Sequence, residues 1–121
     1  MLKKIPQKNS RKIIGLTEKL FVIGMGGKKR ILARIDTGAS LSAIDSNLAA
    51  SLNLGPIVKT KRIKSTHGAA LRPVIKAKVI IAGKMIVADF TLADRAQMKY
   101  QMLIGQNVLC ENNFLIDPNK K

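Results

Sequence analysis

A small all-β domain, mostly strand with two short helices, is predicted by three features of the chain. Aliphatic and β-branched runs recur from Ile13 to Phe90 between turns marked by glycine. Ile75, Ala77 and Val79 alternate with Lys76 and Lys78, the period of a strand with one wet face. Clear helical spacing occurs once, at Ile44, Leu48 and Leu52. With 121 residues, 46% of them hydrophobic, the chain can bury one core and is too short for a second domain. Its 3% aromatic content and lack of Trp make that core aliphatic.

In chain order, residues 1–12 read as a flexible basic arm, because Met1 to Ser10 are polar, contain Pro6 and show no period. The domain occupies 13–118 and a short tail 119–121. "IIGLTEKLFVIG" (Ile13 to Gly24) and "KRILARID" (Lys29 to Asp36) are predicted to form a hairpin, with Gly26 and Gly27 in its turn. A short strand follows at Ser40 to Asp45. Asp45 then stands where a helix N-cap belongs and Gly55 where the helix should stop. Strands return in "IVKTKRIKS", "PVIKAKVII" and "MIVADFTL", the first two separated by the turn-rich "STHGAALRP" (Ser65 to Pro73). Ala93 to Gln101 reads as a loop, with Asp94 and Arg95 as a stabilising pair. "MLIGQNVLCENNFLID" (Met102 to Asp117) reads as strand, glycine, a helix from about Asn107 to Glu111, and a last strand at Phe114 to Asp117. Cys110, on that helix, is expected to be buried.

Lys and Arg number 22 against 7 Asp and Glu, a formal net charge of +15. Such a balance favours an anionic partner: nucleic acid, a ribosome surface or an acidic peptide. Lysines on strand faces also guard sheets against aggregation. Base recognition would have little to stack on, since the chain holds one Tyr, three Phe and no Trp. Cys110 is the only cysteine and His67 the only histidine. That removes disulfide frameworks and a His/Cys zinc site within one chain, and leaves a Ser-His-Asp or Cys-His arrangement dependent on His67 alone. No P-loop or other phosphate cradle is present, and neither cofactor nor metal is expected. Pro6, Gln7, Asn9 and Ser10 interrupt the apolar run a signal peptide needs, and no segment has the length of a membrane span. The expectation is a soluble cytoplasmic protein.

"ILARIDTGAS" (Ile31 to Ser40) sets an acid directly after a buried-looking strand. An ionised carboxylate in an apolar setting is costly unless it is paired, hydrogen-bonded or partly protonated. Asp36 is therefore either a turn residue or a working acid.

Two blocks bear on this choice. "IDTGAS" (Ile35 to Ser40) and "MLIGQN" (Met102 to Asn107), with a hairpin between them, resemble the retropepsin family of aspartic proteases. In that family apolar-Asp-Thr-Gly-Ala, a flap hairpin, and two apolar residues followed by glycine and a helix come in this order. "ARIDTGASLSAID", "RPVI", "TLADRAQMKY" and "LIGQNVL" with "NNFLIDP" are similar to a small prokaryotic group labelled ATP-dependent zinc proteases, encoded beside ATP-grasp glutamate ligases. The likeness runs from Ile14 to Pro118.

The resemblance implies a retropepsin-like closed β-barrel with a flap, and an endopeptidase whose catalytic residue is Asp36. The chemistry needs two such acids where the chain supplies one, so it implies a homodimer with one Asp36 from each chain. Thr37, Gly38 and Ala39 would complete the active-site loop, and Leu103, Ile104 and Gly105 would hold it from beneath. Ser65, Thr66, His67, Gly68, Ala69 and Arg72 would form the flap and touch substrate. Basic strands beside the flap (Lys59, Lys61, Arg62, Lys64, Lys76 and Lys78) imply peptide substrates that are acidic, or modified with glutamate. The chain departs from many viral relatives at Ser40 and Gln106, where an acid and an arginine would steady the dimer. The alternatives are a basic β-barrel on RNA or the ribosome, and a catalytically silent peptide-binding or dimerisation domain.

Overall fold

A computed structural model describes residues 11–65 and 68–120. Most of the predicted arm, together with Thr66 and His67, lies outside the described residues.

The first predicted strand is two: β1 (Ile13–Ile14) and β2 (Thr17–Gly24). The break falls at Gly15, whose amide donates to Glu18 Oε2 at 2.9 Å instead of to a neighbouring strand. β2 and β3 (Gly27–Ile35) form the expected hairpin, paired from Thr17 with Arg34 down to Gly24 with Gly27. Gly27 closes it at a φ of 129°, a conformation open to glycine. β4 (Ser42–Asp45) leads into α1 (Ser46–Ser51). Asp45 caps this helix as expected, its Oδ2 accepting from the Leu48 amide at 3.2 Å. The helix ends before Gly55, because Asn53 takes the left-handed turn first, at a φ of 52°.

β5 (Ile57–Ser65) and β6 (Gly68–Ile81) pair up to Ser65 with Gly68. Most of the stretch read as a turn-rich tip is thus strand, Gly68 to Pro73 lying in register opposite Ser65 to Thr60. β7 (Lys84–Ala93), β8 (Met102–Ile104), α2 (Gln106–Leu109) and β9 (Leu115–Ile116) complete the chain. α2 lies a residue or two earlier than predicted. Cys110 follows it as the C-cap and is exposed, not buried, because Val108 and Leu109 fill the inward positions of that short turn.

Strand order is β2-β3-β8-β4-β7-β6, and β6 returns to β2 through Leu20 with Ile81 to Ile23 with Lys78. The result is a closed six-strand barrel, a geometry that leaves few open edges. Alternate residues point inward: Leu20, Val22, Ile75, Val79, Ile81 and Phe90 are all fully buried. β6 serves two purposes: its second half is barrel wall, while its first half projects with β5 as a hairpin arm. β1 and β9 pair in parallel as a separate two-stranded ribbon. Among the described residues no helix is long and apolar enough to cross a membrane.

Candidate active site

β3 ends at Ile35, and the next residue, Asp36, begins a tight turn. Its backbone amide donates to Ile104 O at 2.9 Å, and its carbonyl accepts from the Ala39 amide at 3.3 Å. The carboxylate is only half-buried and is held by the chain's own turn, Oδ1 accepting from the Gly38 amide at 3.0 Å. That is Asx-turn chemistry with the acid left facing outward. The cost of burying it, which singled it out in the sequence, is met by partial exposure and one amide.

The turn rests on the second block. β3 and β8 run parallel, with Arg34 beside Leu103 and Ile35 beside Ile104. The first amides of α2 then grip the loop from below: Gln106 N donates to Ala39 O at 2.8 Å and Asn107 N to Ser40 O at 3.2 Å. Gln106 Nε2 adds a bond to Thr37 O at 2.8 Å. Gly105 is required for steric reasons. A Cβ there would stand 2.7 Å from Ala39 O and 2.8 Å from Leu41 O, closer than real Cβ contacts come. A Cβ on Gly38 would meet only Asp36 Oδ1, at an ordinary 3.4 Å. Among the described residues the Thr37 hydroxyl has no hydrogen-bond partner, and Thr37 is exposed.

Sequence reasoning missed the polar hub beneath this loop. Ser42, fully buried, donates from its amide and its hydroxyl to Asn107 Oδ1 at 2.9 and 2.8 Å, and its Oγ accepts from the Gly105 amide at 2.9 Å. Asn107 Nδ2 donates to Asp89 O at 2.9 Å, and the buried Thr91 hydroxyl to Ser42 O at 3.3 Å. Three segments distant in sequence, β4, β7 and the start of α2, are locked together in this way. Only a paired serine and asparagine can be buried there without loss, and neither residue carries that information locally.

A cleft of about 300 Å³ opens beside the turn, its lining including Gly38, Ala39 and Leu103 on one side and Ile63, Lys64 and Arg72 of the hairpin on the other. The structure thus brings the Asp36 loop, the Leu103–Gly105 platform and Arg72 together. Gly68 and Ala69, both exposed, sit further out at the hairpin end, and Ser65 pairs with Gly68 there. Among the described residues no acid lines the cleft. Arg95, expected only to pair with Asp94 in a loop, lines it too, and its backbone amide donates to Asp45 Oδ1 at 2.8 Å. Burial, then the charges of Arg72 and Arg34, push the Arg95 guanidinium below its usual value, while Asp36 and Asp45 act the other way.

Several of the lysines expected to charge the cleft are engaged elsewhere. Lys76 and Lys59 lie 2.7 and 3.4 Å from Asp89, whose carboxyl is held below the usual range mainly by the Lys76 hydrogen bond. Lys78 lines a separate hollow of about 400 Å³ with Ile23, Met25 and Leu54. Among the described residues no group of three or more His, Cys, Asp or Glu could hold a metal ion.

No curated protein matches the chain. Among solved structures it is similar to Lpg0085, a protein of unknown function from Legionella pneumophila, with a TM-score of 0.63 and 20% identity over 91% of this chain and 95% of that one. It is also similar to the protease of simian foamy virus, with a TM-score of 0.55 and 19% identity over 78% of this chain and 91% of that one. These likenesses establish a retropepsin-like fold. Residues 45–121 match the RimB-like family, retropepsin-like aspartic endopeptidase RimB, and the chain therefore belongs to that family.

Proposed function

We propose that the chain is a homodimeric aspartic endopeptidase in which Asp36 from each of two protomers forms one water-activating pair. The observation that carries this reading is the posture of Asp36. It stands on a turn clamped by Gly105, Gln106 and Asn107, half-exposed at the edge of a cleft, in a chain of an aspartic endopeptidase family. The chain supplies one such acid, and a two-fold axis supplies the second.

Two carboxylates held close cannot both ionise, so they share a proton, the known behaviour of aspartic-protease dyads. The ionised member takes a proton from water as the water oxygen bonds to the scissile carbonyl carbon. The protonated member gives its proton to the carbonyl oxygen. Collapse of the resulting diol breaks the C–N bond, and the leaving amine takes a proton from the pair. The β5–β6 hairpin acts as the flap, closing over the peptide and excluding water. The β1–β9 ribbon is the dimer contact. It leaves strand edges open and exposes Ile13, Leu16 and Leu115 (51, 55 and 45%), which a second copy would cover.

Arg72, Lys64 and Arg95 around the cleft favour acidic peptides, glutamate-modified chains among them. The cytoplasm is the compartment that suits a chain whose single cysteine is exposed. Kinship with the group labelled ATP-dependent zinc proteases rests on the sequence blocks alone, and no step is routed through a metal. The test is a mass-spectrometric digest of a peptide library by the wild-type chain beside Asp36→Asn. Cleavage by the first and none by a folded, dimeric second is expected; equal cleavage by both refutes the assignment.

A further inference from the structure

We infer that Arg95 and Arg72 form a carboxylate-binding pocket next to Asp36, filled by an acidic side chain of the bound peptide. This deepens the reading above and rests on it for the identity of the ligand, though not for the pocket itself.

Arg95 is only 8% exposed. A guanidinium so enclosed is costly unless its donors are matched. Nε donates to Tyr100 O at 3.0 Å, which fixes the plane of the group and ties down the loop after β7. Among the described residues its other nitrogens have no hydrogen-bond partner and it enters no ion pair. Since no buried side-chain nitrogen among those residues lacks a partner, these nitrogens reach solvent, and the cleft is the space Arg95 lines. The nearby acid Asp45 acts on the guanidinium through its charge but makes no ion pair with it; its oxygens accept from the amides of Leu48 and of Arg95 itself.

Like charges gather around this one. Arg72 on β6 and Arg34 on β3 both lie within electrostatic reach of Arg95, and Lys64 shares its cleft. Asp36 and Asp45 offset part of this repulsion, but among the described residues no acid lines the hollow itself, and an anion entering it would relieve the rest. A planar fork with free N–H groups is matched by a carboxylate, bidentately where geometry allows. Tying the loop to Tyr100 needs only Nε, so a purely structural role would leave acidic ligands indifferent to the rest of the group. A carboxylate here sits beside Gly38, whose amide holds Asp36, so the acidic residue lies next to the bond to be cleaved.

The test uses the full chain carrying Asp36→Asn, titrated calorimetrically at low and high salt with end-blocked Ala-Glu-Glu-Ala and with its glutamine counterpart. The glutamate peptide is expected to bind and the glutamine peptide to bind at least about tenfold more weakly, the loss of one charge-assisted hydrogen bond. Adding Arg72→Gln, on the accessible hairpin, should cost the glutamate peptide about tenfold and leave the glutamine peptide unchanged. Arg95→Gln should cost at least as much. If that variant does not fold, Arg95→Lys, which keeps the charge and loses the fork, and Arg72→Gln decide. Arg30→Gln removes the same charge from the exposed outer wall and should leave affinity at the parent's level.

Equal affinity for the two peptides, no binding of either, or an equal loss in Arg30→Gln and Arg72→Gln overturns the pocket. Such a result leaves Asp36-dependent cleavage standing. Conversely, a chain that prefers glutamate through Arg72 and Arg95 but cleaves no peptide keeps the pocket and loses the enzymatic reading.

Discussion

Two glycines beside the same loop should respond oppositely to one added methyl group. In Gly105→Ala the new Cβ would stand 2.7 Å from Ala39 O and 2.8 Å from both Leu41 C and Leu41 O, where ordinary contact begins at 3.4 Å. Backbone must therefore move by roughly 0.6 Å, and it is backbone pinned by the Gln106 amide at Ala39 O. Overpacking of this kind costs about 1–3 kcal/mol. In a chain of this size that is a fall of roughly 4–12 °C in the unfolding midpoint. Because the displaced segment follows Asp36 directly, peptidase activity should fall further, by up to roughly a hundredfold for an ångström of misplacement. In Gly38→Ala the Cβ finds only Asp36 Oδ1, at 3.4 Å, and the backbone there is not left-handed. Stability should stay within about 1 kcal/mol of the parent, helped by the stiffer unfolded chain. Calorimetric or circular-dichroism melts of the two variants side by side measure this. A parental midpoint for Gly105→Ala, or a larger loss for Gly38→Ala, would refute the platform as described.

Asn107→Ala removes the acceptor shared by the Ser42 amide and hydroxyl and the donor to Asp89 O. The Ser42 hydroxyl can rotate to another acceptor, which leaves the Ser42 amide and Asp89 O unpaired; at about 1–3 kcal/mol for each, a loss of roughly 2–6 kcal/mol is expected in urea unfolding, with the slope unchanged. Asp89 supplies the pH prediction. Its folded pKa is depressed, chiefly by Lys76, so its stabilisation is present above the ordinary carboxylate value and is lost as pH falls through the folded value. The pair is solvent-facing, so the effect is below about 1 kcal/mol and shrinks with salt. Asp89→Asn should flatten the acid limb of the stability curve by that amount; a steeper limb in the variant would contradict the sign.

What was legible in the sequence was whatever depends on near neighbours. Alternation in Ile75 to Val79 gives barrel wall, Gly27 closes a hairpin, and Asp45 caps the helix three residues on. The candidate loop was legible because "IDTGAS" and "MLIGQN" stand as contiguous blocks; that β3 and β8 run side by side in parallel is seen only in the structure. What escaped depends on partners far along the chain. Ser42 and Asn107 are 65 residues apart and look like ordinary surface residues until paired. Arg95, read as the partner of Asp94 in a loop, instead turns inward to Tyr100, while Asp94 accepts from the Ala96 amide. Lys59 and Lys76 were assigned to the cleft by sequence position, but Asp89, on the neighbouring strand, takes both. Gly105 was expected as support; that it cannot carry a side chain follows only from how closely Ala39 and Leu41 approach it.

The central claim, that one site is made from two copies of Asp36, is tested most directly by mixing. Wild-type and Asp36→Asn chains are refolded together in varied proportion at constant total concentration, and peptidase activity is read against the wild-type fraction. If each site needs an aspartate from both protomers, activity follows the square of that fraction, about a quarter remaining at equal parts. A straight line, half the activity at equal parts, would mean that each chain carries its own complete site.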